Sequence, residues 1–312
     1  MGSNTKASPK RFWKKIRRKS KAASGRLMFV ILNLLGIIVR KLDRHQTRRF
    51  AFLIGDFMHR VLGIRRGLVY RNLSLTFPDK SPDEIRRIAT GVYRNVASAL
   101  LEVLSLPLIR SHEDAAALVD IEGDAAFEEW RLAGTGGAVI VSAHYGNWEL
   151  MAMACGLMIR PVTIIVKRLR NRLIDRRLNE YRSMRGNSVI YPYQSVREGL
   201  RLLQNGGILA ILVDQSDPDE ANFSEFLGRR ATVLHGAAFF ALRAKVPLFM
   251  PMCTSNGDGR YTITVNQIDT SDLSFSKEDV ATLASRYTKA IEAQIRRRPE
   301  EWFWLHDRWK RS

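Results

Sequence analysis

The sequence is poor in cysteine and lacks the residue spacings that usually hold metals or nucleotides. Cys155 and Cys253 are the two cysteines among 312 residues, and they lie far apart in hydrophobic surroundings. This excludes a disulfide framework and a CxxC motif, so we expect free, buried thiols in a reducing compartment. The six histidines show no paired spacing, and "AGTGGAV" (133–139) lacks the G-x-G-x-x-G pattern. We therefore predict no metal and no other cofactor.

A Pro/Gly/Ser-rich linker and internal repeats are also lacking, which favours one large domain over two small ones. With 46% hydrophobic residues, the chain can bury a sizeable core. Acidic residues are outnumbered, because 31 Asp and Glu face 50 Lys and Arg and give a formal net charge of +19. A charge of this size suits nucleic acid, an anionic membrane or an acidic protein, and its sign alone does not choose among them.

The apolar run near the amino terminus is too short to cross a bilayer. "LMFVILNLLGIIV" (27–39) ends at basic residues, whereas a spanning helix needs about 20 apolar residues. The basic arm before it (1–26) is followed by no small-x-small cleavage site, so we do not expect a cleaved signal peptide. We predict that the arm and a helix over 27–44 associate with an anionic membrane surface. The alternatives are a core helix after a disordered tail and a nucleic-acid-binding arm.

Beyond this helix, the sequence predicts a single domain (45–312) of the α/β class. Apolar residues recur at helical spacing over 45–120, where Asp83 is in position to cap the second helix. Over 121–312, short apolar runs alternate with amphipathic segments. That alternation is typical of a mainly parallel central sheet with flanking helices, here preceded by a helical membrane-anchor region.

The stretch "AVIVSAHYGNWELMA" (138–152) carries the strongest chemical signal. An apolar strand ends near His144, at the sheet edge where open α/β folds bind ligands. Gly146 allows a sharp turn and Asn147 can cap the next helix, so the chain can fold Glu149 back toward the imidazole. A His–Glu pair forms a general base, and an ordinary strand-end histidine is the alternative. No G-x-S-x-G elbow or plausible cysteine nucleophile is present, so we expect direct acyl transfer to a substrate hydroxyl without an acyl-enzyme.

The block "HYGNWE" (144–149) resembles the His-x4-Asp/Glu motif of glycerolipid-type acyltransferases, in a form similar to that of the lipid A biosynthesis lauroyl/myristoyl (late) acyltransferases. Further segments resemble that family, in the family's order: "YRNLSLTFPDKSPDE", "KRLRNRLIDRRLNEYRSMRG", "GGILAILVDQ", "FLGRRATVLHGAAFFAL" and "RPEEWFWLHDRWK". Glu102 falls where the family's first region usually carries a glutamate. The resemblance implies a glycerolipid acyltransferase-like fold, with His144 as the catalytic base and Glu149 as its partner.

The resemblance also implies substrates and a location. It implies transfer of a fatty acyl chain from acyl carrier protein, or less often acyl-CoA, to a hydroxyl of a lipid A precursor at the cytoplasmic face of the bacterial inner membrane. A related branch of the family keeps this chemistry but uses acyl-CoA and a mannosylated phosphatidylinositol. The non-enzyme alternative is a basic nucleic-acid-binding protein. Because no helix-turn-helix, zinc-finger or RNP motif is present, we expect no nucleic-acid partner.

Polar residues elsewhere are candidates for binding the substrate. Arginines within 167–186 could grip a phosphate through paired hydrogen bonds, and a solvated basic helix face is the alternative. Asp214 and Gln215 end another apolar strand and should open onto the same edge as His144, unless they only cap that strand. Small residues in "FLGRRATVLHG" let a ligand approach the backbone, whereas the acidic run at 217–220 is predicted to be a solvated loop. The substrate-binding candidates are Asn147, Arg168, Asn171, Asp175, Arg182, Asp214, Gln215, Gly228 and Thr232.

Aromatic residues cluster at the carboxyl end, in "EEWFWLHDRWKRS" (300–312). Tryptophan is amphipathic, so an interfacial belt and a core cover both fit this composition. We predict that the tryptophans pack into the protein, leaving Arg308 and Lys310 near the membrane or the substrate.

Overall fold

Helices make up the amino-terminal part of the chain. The computed structural model describes residues 9–216 and 222–310, so the first eight residues of the basic arm and the predicted acidic loop at 217–220 lie outside the described residues. The helices before the first strand are α1 (Pro9–Val39), α2 (Arg44–Arg60), α3 (Arg66–Thr76), α4 (Pro82–Val103) and α5 (His112–Ala116), with a 3-10 turn at Leu106–Leu108. A small apolar core of Val39, Ala51, Ala97 and Leu101 joins α1, α2 and α4.

The first helix, α1, runs without a break across residue 26, where the sequence suggested the end of the basic arm. Its inner side is tied to the body of the protein. Asn171 Nδ2 donates to Gly25 O at 2.9 Å, and Arg40 Nη2 donates to the Tyr181 hydroxyl at 2.7 Å. The outer side is apolar and about half exposed at Leu27, Met28, Val30, Ile31, Leu34, Ile37 and Ile38. Within the described ranges, no helix combines the length and the apolar character needed to cross a membrane.

A capping box fixes the start of α4. Ser81 Oγ accepts a hydrogen bond from Glu84 N at 3.3 Å, and Glu84 Oε2 accepts one from Ser81 N at 2.8 Å. The prediction that Asp83 caps this helix is wrong, because Pro82 takes the first helical position and Ser81 therefore becomes the cap.

The remaining elements alternate between strand and helix. The strands are β1 (Val119–Gly123), β2 (Ala138–Ser142), β3 (Val162–Ile165), β4 (Ser188–Ile190), β5 (Ile208–Leu212), β6 (Phe223–Phe226), β7 (Arg229–Thr232), β8 (Leu248–Ser255) and β9 (Tyr261–Ile268). The helices are α6 (Ala125–Ala133), α7 (Trp148–Met158), α8 (Arg172–Arg182), α9 (Pro192–Gln204), α10 (Gly236–Ala244) and α11 (Lys277–Arg297), with 3-10 turns at Met184–Gly186 and Pro299–Glu301. β1, β6 and β7 were not predicted, because their strands mix charged with apolar residues.

In the described part of the chain, seven strands form one sheet in the order β1-β9-β8-β2-β5-β3-β4. Neighbouring strands are parallel except β8 and β9, which pair antiparallel. β6 and β7 form a separate antiparallel hairpin. The predicted α/β class, with a mainly parallel central sheet and flanking helices, is therefore confirmed.

The centre of the sheet is where the core is deepest. In β2, Ala138, Val139 and Val141 are fully buried, because a central parallel strand is covered by helices on both faces. Both cysteines are free, as predicted, with Cys253 buried and Cys155 half-buried.

After α11 the chain returns to the end of β2 and packs there. Trp302, Trp304 and Trp309 are buried, so the predicted packing is confirmed. Arg308 is buried as well, with its guanidinium 4.8 Å from the centre of the Phe226 ring, and its place near the membrane or the substrate stays a prediction.

Candidate active site

Two polar side chains occupy equivalent positions on neighbouring strands. In the parallel pairing of β2 with β5, Ser142 lies opposite Leu212. His144 and Asp214 each come two residues after these partners, at the carboxyl edge of the sheet. The strand register therefore brings an imidazole and a carboxylate together at the edge where open α/β sheets bind their ligands.

Asp214 holds the His144 imidazole in one orientation. His144 Nδ1 lies 2.8 Å from Asp214 Oδ1, and the backbone N–H of His144 donates to Asp214 Oδ2 at 3.0 Å. With the Nδ1 proton donated to the carboxylate, Nε2 keeps its lone pair. Nε2 lies 3.3 Å from the Gln215 amide nitrogen, and the His144 side chain is 21% exposed. A substrate hydroxyl that replaces Gln215 at Nε2 can give up its proton there.

Asp214 is buried, and its surroundings nevertheless favour the ionised form. Burial alone would raise the pKa of Asp214, but the charge of His144 and the hydrogen bonds from His144 and Trp302 lower it below its ordinary value. Trp302 Nε1 donates to Asp214 Oδ2 at 2.8 Å. Sequence reasoning missed this contact, since the aromatic cluster around Trp302 indicated only packing.

The structure differs from the predicted contact between His144 and Glu149. Glu149 lies in the first turn of α7 and receives two hydrogen bonds from Arg182 of α8, one of them from Nε at 2.9 Å. The Glu149 side chain is 8% exposed. A buried carboxylate needs a charged, hydrogen-bonded partner, and Arg182 supplies it, whereas His144 already has Asp214. Glu149 thus ties α7 to α8 through Arg182, and the hydrogen bonds of the imidazole go to Asp214 and Gln215 instead.

Arg182 is directed inward by the same ion pair. Burial alone would lower the pKa of Arg182, but the hydrogen bond and the charge of Glu149 raise it, so the guanidinium stays charged. Its Nη1 also donates to Asn179 Oδ1 at 3.3 Å. The hydrogen bonds that Arg182 makes inside the protein therefore compete with its predicted role in binding a phosphate.

A glycine makes the turn between His144 and α7 possible. Gly146 has φ +55°, and its N–H donates to Glu301 O at 2.8 Å. A Cβ at this position would lie 1.8 Å from Cys253 O, so no side chain fits without moving the β8 backbone. The turn is thus held by β8 on one side and by the carboxyl-terminal segment on the other.

Asn147 is buried and serves the start of α7. Its Oδ1 accepts from Leu150 N at 3.0 Å, so the predicted capping is confirmed. Its Nδ2 donates to Glu102 Oε2 at 2.6 Å, and the Tyr261 hydroxyl donates to the same oxygen at 2.8 Å. Burial raises the pKa of Glu102 to about 7, and the two hydrogen bonds offset only part of this effect. Both polar atoms of Asn147, a substrate-binding candidate, are therefore engaged inside the protein.

The carboxyl-terminal segment closes over the imidazole. Phe303 N donates to His144 O at 3.0 Å, and Trp302 forms an antiparallel bridge with Tyr145. The rings of Trp148 and Phe303 lie 5.1 and 6.3 Å from the centre of the imidazole. These contacts give His144 an apolar border and fix its backbone.

Three other substrate-binding candidates lie around the start of α8. Arg168 is exposed, and its guanidinium lies 4.4 Å from the centre of the Tyr191 ring. Asn171 caps α8, and Asp175 Oδ1 accepts from Leu169 N at 2.8 Å. Asn171 and Asp175 thus shape the loop that presents Arg168 at the surface.

The last two candidates belong to the hairpin of β6 and β7. Gly228 lies in the turn of this hairpin with φ +77°, and a Cβ there would meet nothing within 4 Å. The left-handed backbone, not a lack of space, therefore explains why this position is a glycine. Thr232 is buried at the end of β7. Gly228 is exposed and leaves room for a ligand near the backbone, whereas the buried Thr232 presents no open surface.

Known proteins resemble the chain over most of its length. A family model described as bacterial lipid A biosynthesis acyltransferase matches residues 14–311. A lipid A biosynthesis acyltransferase of Haemophilus influenzae is 26% identical over 86% of this chain and 84% of its own length. A lipid A biosynthesis lauroyltransferase of Escherichia coli is 24% identical over 82% of this chain and 83% of its own. A phosphatidylinositol mannoside acyltransferase of Mycolicibacterium smegmatis is 26% identical over 55% of this chain and 57% of its own.

Proposed function

Because the chain belongs to the family of bacterial lipid A biosynthesis acyltransferases, we propose that it transfers a fatty acyl chain from a carrier thioester to a hydroxyl of a lipid A precursor. Family membership makes the chain an acyltransferase, not the nucleic-acid-binding protein that its charge also allowed. One observation carries the mechanism. Asp214 holds His144 by Nδ1 and so leaves Nε2 as the basic nitrogen at the sheet edge.

His144 is the general base in this proposal. Nε2 takes the proton of the acceptor hydroxyl while the hydroxyl oxygen attacks the thioester carbonyl carbon and forms the new C–O bond. The C–S bond then breaks, and the imidazolium returns the proton to the leaving sulfur. Asp214 stabilises the imidazolium by its charge and stays ionised throughout. No nucleophilic residue of the protein is needed, so no acyl-enzyme forms.

The proposed donor is an acyl carrier protein, with acyl-CoA as the other thioester. The net charge of +19 suits an acidic carrier protein. Lys167, Arg168 and Arg170 are exposed just after β3, which runs parallel to β5 and so ends at the same sheet edge as His144. Guanidinium groups at this edge can bind phosphate, which both donors and the acceptor carry.

We place the reaction at the cytoplasmic face of the bacterial inner membrane. On α1, Leu27, Ile31, Leu34 and Ile38 recur at helical spacing on the outer side and are about half exposed. The sequence before them is rich in lysine and arginine. An apolar helix face next to a basic segment suits the surface of an anionic bilayer, where α1 would lie without crossing it.

A mannosylated phosphatidylinositol is the second candidate acceptor. The relative that is named for this substrate matches 55% of the chain, compared with 86% for a lipid A acyltransferase. The longer match favours a lipid A precursor as the acceptor.

A transfer assay with purified protein tests the proposal. Acyl carrier proteins and acyl-CoAs of different chain lengths are each combined with lipid A precursors or mannosylated phosphatidylinositol, and products are identified by mass spectrometry. We expect one added acyl chain on a lipid A precursor, and a loss of about 10²–10⁴-fold in kcat for His144→Ala. His45→Ala, which changes an exposed histidine, is the control and should keep full activity. Acylation of the phosphatidylinositol alone would contradict the acceptor, and an active His144→Ala would contradict the mechanism.

A further inference from the structure

Two neighbouring tryptophans in the carboxyl-terminal segment use their indole N–H groups differently. Trp304 Nε1 donates to Pro299 O at 2.7 Å, within the same segment. Trp302 Nε1 donates to Asp214 Oδ2 at 2.8 Å, 88 residues away in the sequence. The two rings meet edge to face with centres 4.7 Å apart, and their side chains are 1% and 0% exposed. Two equally buried indoles therefore differ in whether the N–H reaches a titratable side chain.

We propose that Trp302 is a positioning residue, which fixes the rotation of the Asp214 carboxylate and thereby the direction of His144 Nε2. This inference rests on the proposed role of His144 as the base. Asp214 Oδ1 faces His144 Nδ1, whereas Oδ2 accepts both the backbone N–H of His144 and the indole N–H of Trp302. Because Oδ2 is held by two donors, the carboxylate cannot turn about its Cβ–Cγ bond without breaking hydrogen bonds that are shielded from water.

Trp302 is itself held firmly enough to act as a fixed donor. Its backbone pairs with Tyr145, and the preceding residue, Glu301, accepts from Gly146 N at 2.8 Å through its carbonyl oxygen. Asn95 Nδ2 donates to the same carbonyl at 2.9 Å. The ring packs against Phe226, with centres 5.5 Å apart. The segment that carries the indole is thus bound to the same turn that carries His144, which pre-organises the donor relative to the base.

Loss of the indole N–H has an electrostatic consequence as well as a geometric one. With one donor fewer, more negative charge remains on Asp214, which stabilises protonated His144 and raises its pKa. His306 also lies near the pair, and burial lowers its pKa to about 4, so it is neutral near neutral pH. Arg308 and Lys310 lie on the same segment, and their positive charges also lower the pKa of His306.

The variants Trp302→Phe and Trp304→Phe form a matched pair. Each removes one buried indole N–H and the same ring atoms, but only the first removes a donor to Asp214. We expect both to lower the melting temperature by similar amounts. Relative to Trp304→Phe, Trp302→Phe should have a kcat about tenfold lower with little change in KM. The acid limb of its pH profile should move to higher pH, and NMR titration of the His144 ring should show a raised pKa.

A second replacement keeps the test decisive if Trp302→Phe does not fold. Benzothienylalanine incorporated at position 302 exchanges the indole N–H for sulfur with almost the same shape, and the same changes are expected. Equal kcat values and equal pH profiles for the 302 and 304 variants would overturn the proposal. The NMR titration needs no substrate, so it still tests Trp302 if the wild-type protein acylates none of the acceptors and the proposed function fails.

Discussion

Asp214 and Glu149 are both buried carboxylates, and they meet different partners. Asp214 follows β5 and binds an imidazole, that of His144, through Nδ1. Glu149 begins α7 and binds Arg182, which stays charged at all relevant pH values. In the proposed mechanism the first pair moves a proton, whereas the second pair holds α7 against α8.

The difference shows that spacing along the chain does not decide which residues touch. Glu149 lies five residues after His144, but the turn at Gly146 and the cap at Asn147 place it in the first turn of α7, facing α8. Asp214 lies 70 residues away, and the register of β2 with β5 places it against the imidazole. Within this site, strand pairing outweighs proximity in sequence.

If the two carboxylates differ in this way, Asp214→Asn should cause the largest loss of activity. An asparagine amide can donate to Nδ1 and so favours the tautomer with its proton on Nε2, which removes the base. We expect a loss of about 10³–10⁴-fold in kcat, measured by acyl transfer, with a native circular dichroism spectrum. Asp124→Asn is the control, because Asp124 accepts from Phe127 N and Gln267 N and follows β1, which runs opposite to β2 and so ends at the other edge of the sheet. It should lose some stability and keep its kcat. An Asp214→Asn variant as active as this control would contradict the role of Asp214 in holding the base.

A smaller effect, on stability, is expected for Glu149→Leu. The substitution leaves Arg182 as an uncompensated buried charge, which should lower the free energy of unfolding by about 3–5 kcal/mol. Urea denaturation measures the change. The double variant with Leu at positions 149 and 182 removes both charges and should recover most of this loss, and its kcat should fall less than that of Asp214→Asn. If the double variant folds stably but is as inactive as Asp214→Asn, Glu149 takes part in the chemistry and the distinction fails.

Much of the site could be predicted because it depends on local patterns. The apolar runs of β2 and β5 end just before His144 and Asp214, which indicated that both side chains lie at one sheet edge. Asn147 stands where a helix cap is expected, and it caps α7. Apolar periodicity and helix capping depend on residues that are neighbours in sequence, so both can be predicted without knowing the tertiary structure.

The contacts that were missed join residues far apart in sequence. Trp302 reaches Asp214 across 88 residues, and Arg182 reaches Glu149 across 33. The spacing of apolar residues along the sequence does not predict such a contact, because the contact depends on how the helices and the carboxyl-terminal segment pack on the sheet. The contact of Arg182 was missed for the same reason. Its sequence context suggested phosphate binding, but in the structure it pairs with the buried carboxylate of Glu149.

Glu102 is a half-buried carboxylate that extends the comparison, because both of its hydrogen-bond partners, Asn147 and Tyr261, are neutral. Its pKa is raised to about 7 from an ordinary value of 4.5. Below pH 4.5 it is protonated in both the folded and the unfolded chain. As the pH rises toward 7, the unfolded chain ionises first, so this residue makes folding progressively less favourable, and above pH 7 the loss stays constant.

The smallest effect is therefore expected for Glu102→Gln, and it depends on pH. Both hydrogen bonds go to Oε2, so a glutamine oxygen in that place can accept both without carrying a charge. The variant should match the wild type near pH 4 and be more stable at pH 8 by up to about 3 kcal/mol, measured by urea denaturation at both values. Glu301, whose pKa burial also raises to about 7, contributes equally in both proteins. Glu122→Gln, at an exposed position, should show no such dependence. A stability difference that is the same at pH 4 and pH 8 would mean that Glu102 is not protonated in the folded protein near neutral pH.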